Sequence, residues 1–133
     1  AGNAGKRRFA VDCYVKIRRE TPERSFYSRL FPEIELSSKS NHRFVEHKIL
    51  PGLAYLKSEI CLKRLGSNSG RYLFILDSKR KLDNYRSSTA RAIDPKDYRN
   101  FYFTTFDDIS VDSVLFEPIW WRPADEHPVP LFN

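Results

Sequence analysis

Residues 9–17, FAVDCYVKI, alternate along the chain, with Phe9, Val11, Cys13, Val15 and Ile17 on one uncharged side. Ala10, Asp12, Tyr14 and Lys16 take the other side. The pattern predicts a strand that is half-exposed, or central beneath a covering helix. Thr21-Pro22-Glu23 then reads as a helix start, with Thr as cap, Pro at the first helical position and Glu at the positive end of the dipole. Phe26 and Leu30, flanked by Tyr27 and Phe31, form a stripe at i, i+4, and Pro32 ends this short helix. Residues 33–36 read as a short strand and the polar residues 37–42 as a hairpin tip. Residues 43–56 become a long return strand. Pro51-Gly52 interrupts it, where a strand normally ends or bulges.

Ser58 caps a helix running to Leu65, with Ile60, Cys61, Leu62 and Leu65 as its apolar side and Gly66 just past its end. Residues 67–70 form a loop and residues 72–76 a strand, with Lys79-Arg80-Lys81 on the following turn. Asp94-Pro95 starts another helix with Asp97 at its third position. Tyr98, Phe101 and Tyr102 continue it, and Thr104 and Thr105 mark its end. After Phe106 the chain turns to Pro118, Pro123, Pro128 and Pro130, with Trp120 and Trp121 between them. Val111, Val114, Leu115 and Phe116 offer anchors there for a short helix or turn and an extended segment lying across the domain. The organisation expected is a flexible basic tail over 1–8, whose first five residues resemble a tag remnant, one domain over 9–106, and an extension over 107–133. The order of elements predicts an α+β fold, a small antiparallel or mixed sheet with helices packed on one or both faces.

With 133 residues, 41% of them apolar and 14% aromatic, the chain can fill a core without disulfides or metals. Cys13 and Cys61 lie in apolar segments and read as reduced core thiols, the pattern of a reducing compartment. No run approaches the ~18 apolar residues of a membrane span, and no long apolar stretch follows Lys6-Arg7-Arg8. The expectation is therefore a cytoplasmic protein with no secretory signal and no membrane partner. The net charge of +6 is unevenly spread. Residues 1–29 are rich in Lys and Arg, whereas residues 107–126 set Asp107, Asp108, Asp112, Glu117, Asp125 and Glu126 against Arg122 alone. Such a polarised chain steers one face toward a polyanion, or pairs its basic head with its own acidic segment.

No catalytic constellation emerges. His42, His47 and His127 have no ligand-spaced partners, so no metal is expected. A P-loop, a dinucleotide fingerprint and a nucleophile elbow are all absent, and no cofactor is expected. Lys6, Arg7, Arg8, Lys16, Arg18 and Arg19 would lie along one edge near the first strand, with Lys79, Arg80 and Lys81 as a second patch of phosphate anchors. Tyr14, Tyr72 and Phe74 would then be base platforms, although Tyr72 and Phe74 share a strand face suited to the core.

Two blocks carry a resemblance. The first is Lys48-Ile49-Leu50-Pro51-Gly52-Leu53-Ala54-Tyr55-Leu56 with the helix at residues 57–65. The second is Leu82-Asp83-Asn84-Tyr85 followed by residues 92–101, AIDPKDYRNF. Together, across residues 9–106, they resemble the N-terminal (NGN) domain of NusG-type transcription elongation and antitermination factors, in the branch found in Bacteroidetes. Phe9-Ala10 stands where that family opens with Trp-Tyr, and Leu50 and Leu53 stand where aromatics flank its Pro-Gly pair. The resemblance implies an NGN-like fold and a partner rather than a substrate, an apolar surface docked on the clamp helices of RNA polymerase. Carried over, that surface is Tyr14, Leu50, Pro51, Leu53 and Tyr55, with Arg18, Arg19 and Lys48 toward nucleic acid or acidic clamp residues. The alternatives are a basic nucleic-acid-binding module of unrelated ancestry, and a small metal-dependent nuclease or hydrolase using distant acids such as Asp12, Asp107 and Asp108.

Overall fold

The structure is a computed structural model and describes residues 13–36 and 38–132. Strand β1 (Val15–Glu20) turns at Thr21 into β2 (Ser25–Glu35). The turn is closed locally: Thr21 N–H donates to the Arg24 carbonyl at 2.8 Å, and Arg24 N–H donates to Thr21 Oγ1 at 3.2 Å. Thr21-Pro22-Glu23 is thus a hairpin turn and not a helix start. The aromatics expected on a helical stripe alternate along β2 instead. Pro32 lies past Leu30, the last β2 residue that β1 pairs among the described residues, a position near a strand-pair end that tolerates proline. Of the strand expected over 9–17, the described part begins only at Val15, and residues 9–12 fall outside the described residues. Cys13 is exposed rather than a core thiol.

The segment expected as a hairpin tip and a long return strand is helical from Asn41 to Leu56. It comprises α1 (Asn41–Phe44), a π-helical turn (Val45–Ile49) and α2 (Leu50–Leu56). Ser40 caps it by accepting from Arg43 N–H. Phe44, Val45, Ile49, Gly52 and Leu56 are its buried positions, a helical spacing once one wide turn is allowed. Pro51 explains that turn. A regular helix would need an N–H at residue 51 and would press the proline ring on the carbonyl four residues back. Here Leu50 N–H reaches the carbonyl of Val45, five residues back, and Pro51 occupies the first turn of the resumed helix.

Helix α3 (Glu59–Leu65) follows the expected signals, with Ser58 as cap and Gly66 at φ 72° beyond its end. Its apolar side is narrower than expected: Cys61 is buried, whereas Ile60 and Leu62 face solvent. Strand β3 (Arg71–Leu76) leads to α4 (Lys79–Ala92), so Lys79-Arg80-Lys81 opens a long helix and does not lie on a turn. Asp94 caps a 3-10 turn over Pro95–Asn100, and the chain then enters β4 (Phe101–Thr105). Phe101, Tyr102, Thr104 and Thr105 are therefore strand residues, not helical ones.

The sheet has the order β1-β2-β3-β4, antiparallel between β1 and β2 and parallel thereafter. The expected α+β class stands at this level: a four-stranded mixed sheet with helices packed against it. Both crossovers of the parallel part step the same way, which puts their helices on one face. That face holds Phe31, Tyr72, Phe74, Phe101 and Phe103 against Phe44, Ile49, Leu56, Leu82 and Tyr85. The other face holds Leu30, Leu73 and Tyr102 against Trp120, Leu131 and Phe132 from the segment after β4. Phe103 and Trp121 exchange both backbone hydrogen bonds at 2.8 Å, covering the outer edge of β4.

Candidate nucleic-acid interface

Alternation in the β1–β2 hairpin decides which side chains share a face. Lys16 lies opposite Arg29 and Arg18 opposite Tyr27, so these four project together from the helix-bearing side of the sheet. The helices do not extend over this end of the hairpin. Lys16 and Arg18 are exposed, and Tyr27 retains 46% of its surface. Lys16 Nζ lies 4.3 Å from the Tyr27 ring centroid.

Tyr27 and Arg29 form one wall of an open cleft of about 620 Å³ at the starts of β3 and β4. Leu53 and Leu56 of α2 give the cleft an apolar side, and Lys57, Arg71 and Arg99 bring further cations to it. The floor is fixed by side-chain amides. Asn100 donates to the Gly70 carbonyl at 2.8 Å, and Asn68 donates to the carbonyls of Leu56 and Ser58 at 2.7 and 2.9 Å. Gly70 has to be glycine, because a Cβ there would lie 2.7 Å from the Phe31 ring.

Among the described residues the single acid lining the cleft, Asp97, is buried and accepts from Lys57 Nζ at 3.1 Å. Arg71 donates to the Leu131 carbonyl at 2.8 Å and lies over the rings of Tyr102 and Phe132. Arg29 and Arg99 form no ion pair among the described residues. Arg29 Nε is also buried with no hydrogen-bond acceptor among them. A buried charged donor without an acceptor is costly. The site therefore combines arginine charge without an ion-pair partner among the described residues, a recess and an exposed aromatic residue.

Only part of this was expected from sequence. Arg18 lies beside the cleft, with Glu20 2.5 Å away, and Leu53 lines it. Arg19 lies on the opposite face, over Phe26 and Phe132. Lys48 is paired with Glu33, Lys79 with Asp83 at 2.8 Å and Lys81 with Asp77 at 2.9 Å. Arg80 lines a separate recess with Lys39 and Tyr85. Tyr14 is 36% exposed, with its ring 5.3 Å from Phe31. Tyr72 and Phe74 are buried in the core rather than presented as platforms. Leu50 is exposed on the helix, Pro51 is half-buried, and Leu53 and Tyr55 pack on the core. Lys6, Arg7 and Arg8 lie outside the described residues.

Tyr27, Arg29, Lys57, Arg71 and Arg99 were missed. For Tyr27 and Arg29 the signal was present: Glu20 to Arg24 as a tight turn pairs them at once with Arg18 and Lys16. Nothing in the sequence brings Arg99 to the same place, because the Asp94-Pro95 start predicts a helix through residues 101–105, where the structure has β4. Among the described residues no group of three His, Cys, Asp or Glu side chains is placed to hold a metal. Asp108 accepts from Thr105 Oγ1 at 3.1 Å, and Asp12 falls outside the described residues. No helix among them is long and apolar enough to cross a membrane. No family model, no curated protein and no solved structure matches the chain.

Proposed function

We propose that the chain is a nucleic-acid-binding module whose cleft receives backbone phosphate. The observation that carries this reading is the presence in one cleft of Arg29 and Arg99, neither with a carboxylate partner among the described residues. Lys16 extends the same charge along the exposed hairpin face, whereas Arg18 there is paired with Glu20. Guanidinium groups suit phosphate because they donate two parallel hydrogen bonds as well as charge. Lys57 is held by Asp97 and contributes less.

The polymerase-clamp reading, with its NGN-like fold, is supported by motif resemblance alone. Its docking surface was a strand interrupted at Pro51-Gly52; the segment is a helix, and of its three leucines only Leu50 stands well clear of the core.

The test is binding of a fluorescent oligonucleotide measured across salt concentrations. Affinity falls steeply with salt, and Arg29→Ala and Arg99→Ala each weaken binding and reduce the logarithmic salt slope by about one. Binding that is absent at low salt, or indifferent to both substitutions in folded protein, removes the proposal.

A further inference from the structure

We infer that the nucleic acid taken by this cleft is single-stranded, an inference that rests on the phosphate-binding reading above. A duplex hides the faces of its bases and is read by a convex element entering a groove about 12 Å wide. The cations here line a recess instead. Its volume of about 620 Å³ lies within the range of small-molecule sites, ~300–1,000 Å³, which fits one or two nucleotides and not a double helix. The recess also has what an unpaired base requires, apolar lining from Leu53 and Leu56 and an aromatic residue, Tyr27, among the residues that line it.

Tyr27 is placed as a stacking platform. It is 46% exposed, and it stands on the strand that carries Arg29, two residues away on the same face. One stacked base and the next phosphate are thus served by adjacent side chains of a rigid strand. Lys16 lies over the ring, and its flexible stem lets the ammonium swing onto a phosphate when a base arrives. Stacking of this kind tolerates any base, so the site selects strandedness rather than sequence.

The experiment compares a labelled single strand with a blunt duplex of equal length, using the full chain at low salt. Oligo-dT and oligo-U are run in parallel, since phosphate and an exposed base are common to both; tight binding of either supports the inference, and the tighter one identifies the sugar. The single strand binds at least tenfold more tightly than the duplex. Tyr27→Ala weakens single-strand binding by roughly tenfold or more while leaving duplex binding within about twofold, and Tyr27→Phe retains it. Equal or tighter binding of duplex by the unsubstituted protein overturns the inference whatever the variants do. So does an equal loss on both substrates with Tyr27→Ala. In either case salt-sensitive binding that depends on Arg29 still supports the phosphate cleft. Loss of that dependence is the failure of the underlying reading.

Discussion

Single residues set the limits of this molecule. Gly70 forms the floor of the cleft because the Phe31 ring and the Leu56 side chain leave no room for a methyl group. Gly70→Ala is expected to cost about 1–3 kcal/mol through overpacking, read as a lower midpoint in urea, with the cleft distorted as well. The two cysteines separate by environment. Burial pushes the Cys61 thiol up, opposed in part by the Arg29 guanidinium, whereas Cys13 is exposed. A thiol reagent should therefore titrate one group in the native protein and the second only on unfolding; rapid reaction of both would contradict the buried position of Cys61. Asp97 is the acid that tempers the cleft, so Asp97→Asn should tighten oligonucleotide binding several-fold at low salt, and an unchanged affinity would show that its charge does not reach the ligand.

At the scale of elements, the sequence was legible where local chemistry settles the outcome. Ser58 and Gly66 bracket α3 because one satisfies an orphan N–H and the other adopts a left-handed conformation. Ser58→Ala is expected to cost about 1 kcal/mol, since Ser58 Oγ accepts from Cys61 N–H and donates to the Tyr55 carbonyl; calorimetry reads it. Legibility failed where tertiary packing overrides a local signal. Thr21-Pro22-Glu23 carries the residues of a helix start, but the partner strand on either side makes it a turn. Helix α4 was invisible because two of its four buried positions are Ser88 and Thr89, leaving only Leu82 and Tyr85 to show its period. In β4 all five residues are buried, so no alternation announces a strand. At residues 41–56, Pro51 disguised a helix that accommodates it with one wide turn. The mixed α+β class survived these errors, since strands and helices were exchanged in both directions. The cleft did not, because it depends on the hairpin and on β4, both misread.

For the whole molecule, one sheet separates two cores of different construction. The helix side is dominated by stacked aromatics, among them Phe44 on Tyr85 at 4.0 Å and Phe31 on Tyr72 at 4.9 Å. The other core is closed by irregular chain anchored at Trp120, which is fully buried and donates Nε1–H to the Val114 carbonyl at 2.8 Å. Trp120→Ala should cost about 3–5 kcal/mol, enough to remove much of the stability of a domain this size; a change under 1 kcal/mol would mean the segment is dispensable. A domain roofed by its own late residues is also constrained in time. While it emerges from the ribosome, the four strands can assemble before Trp120, Leu131 and Phe132 arrive. During that interval Leu30, Leu73 and Tyr102 lie open to water. The nascent chain therefore passes through a stage in which one face of its sheet is adhesive, and the speed with which the roof is delivered governs how much of it reaches the native state rather than an aggregate.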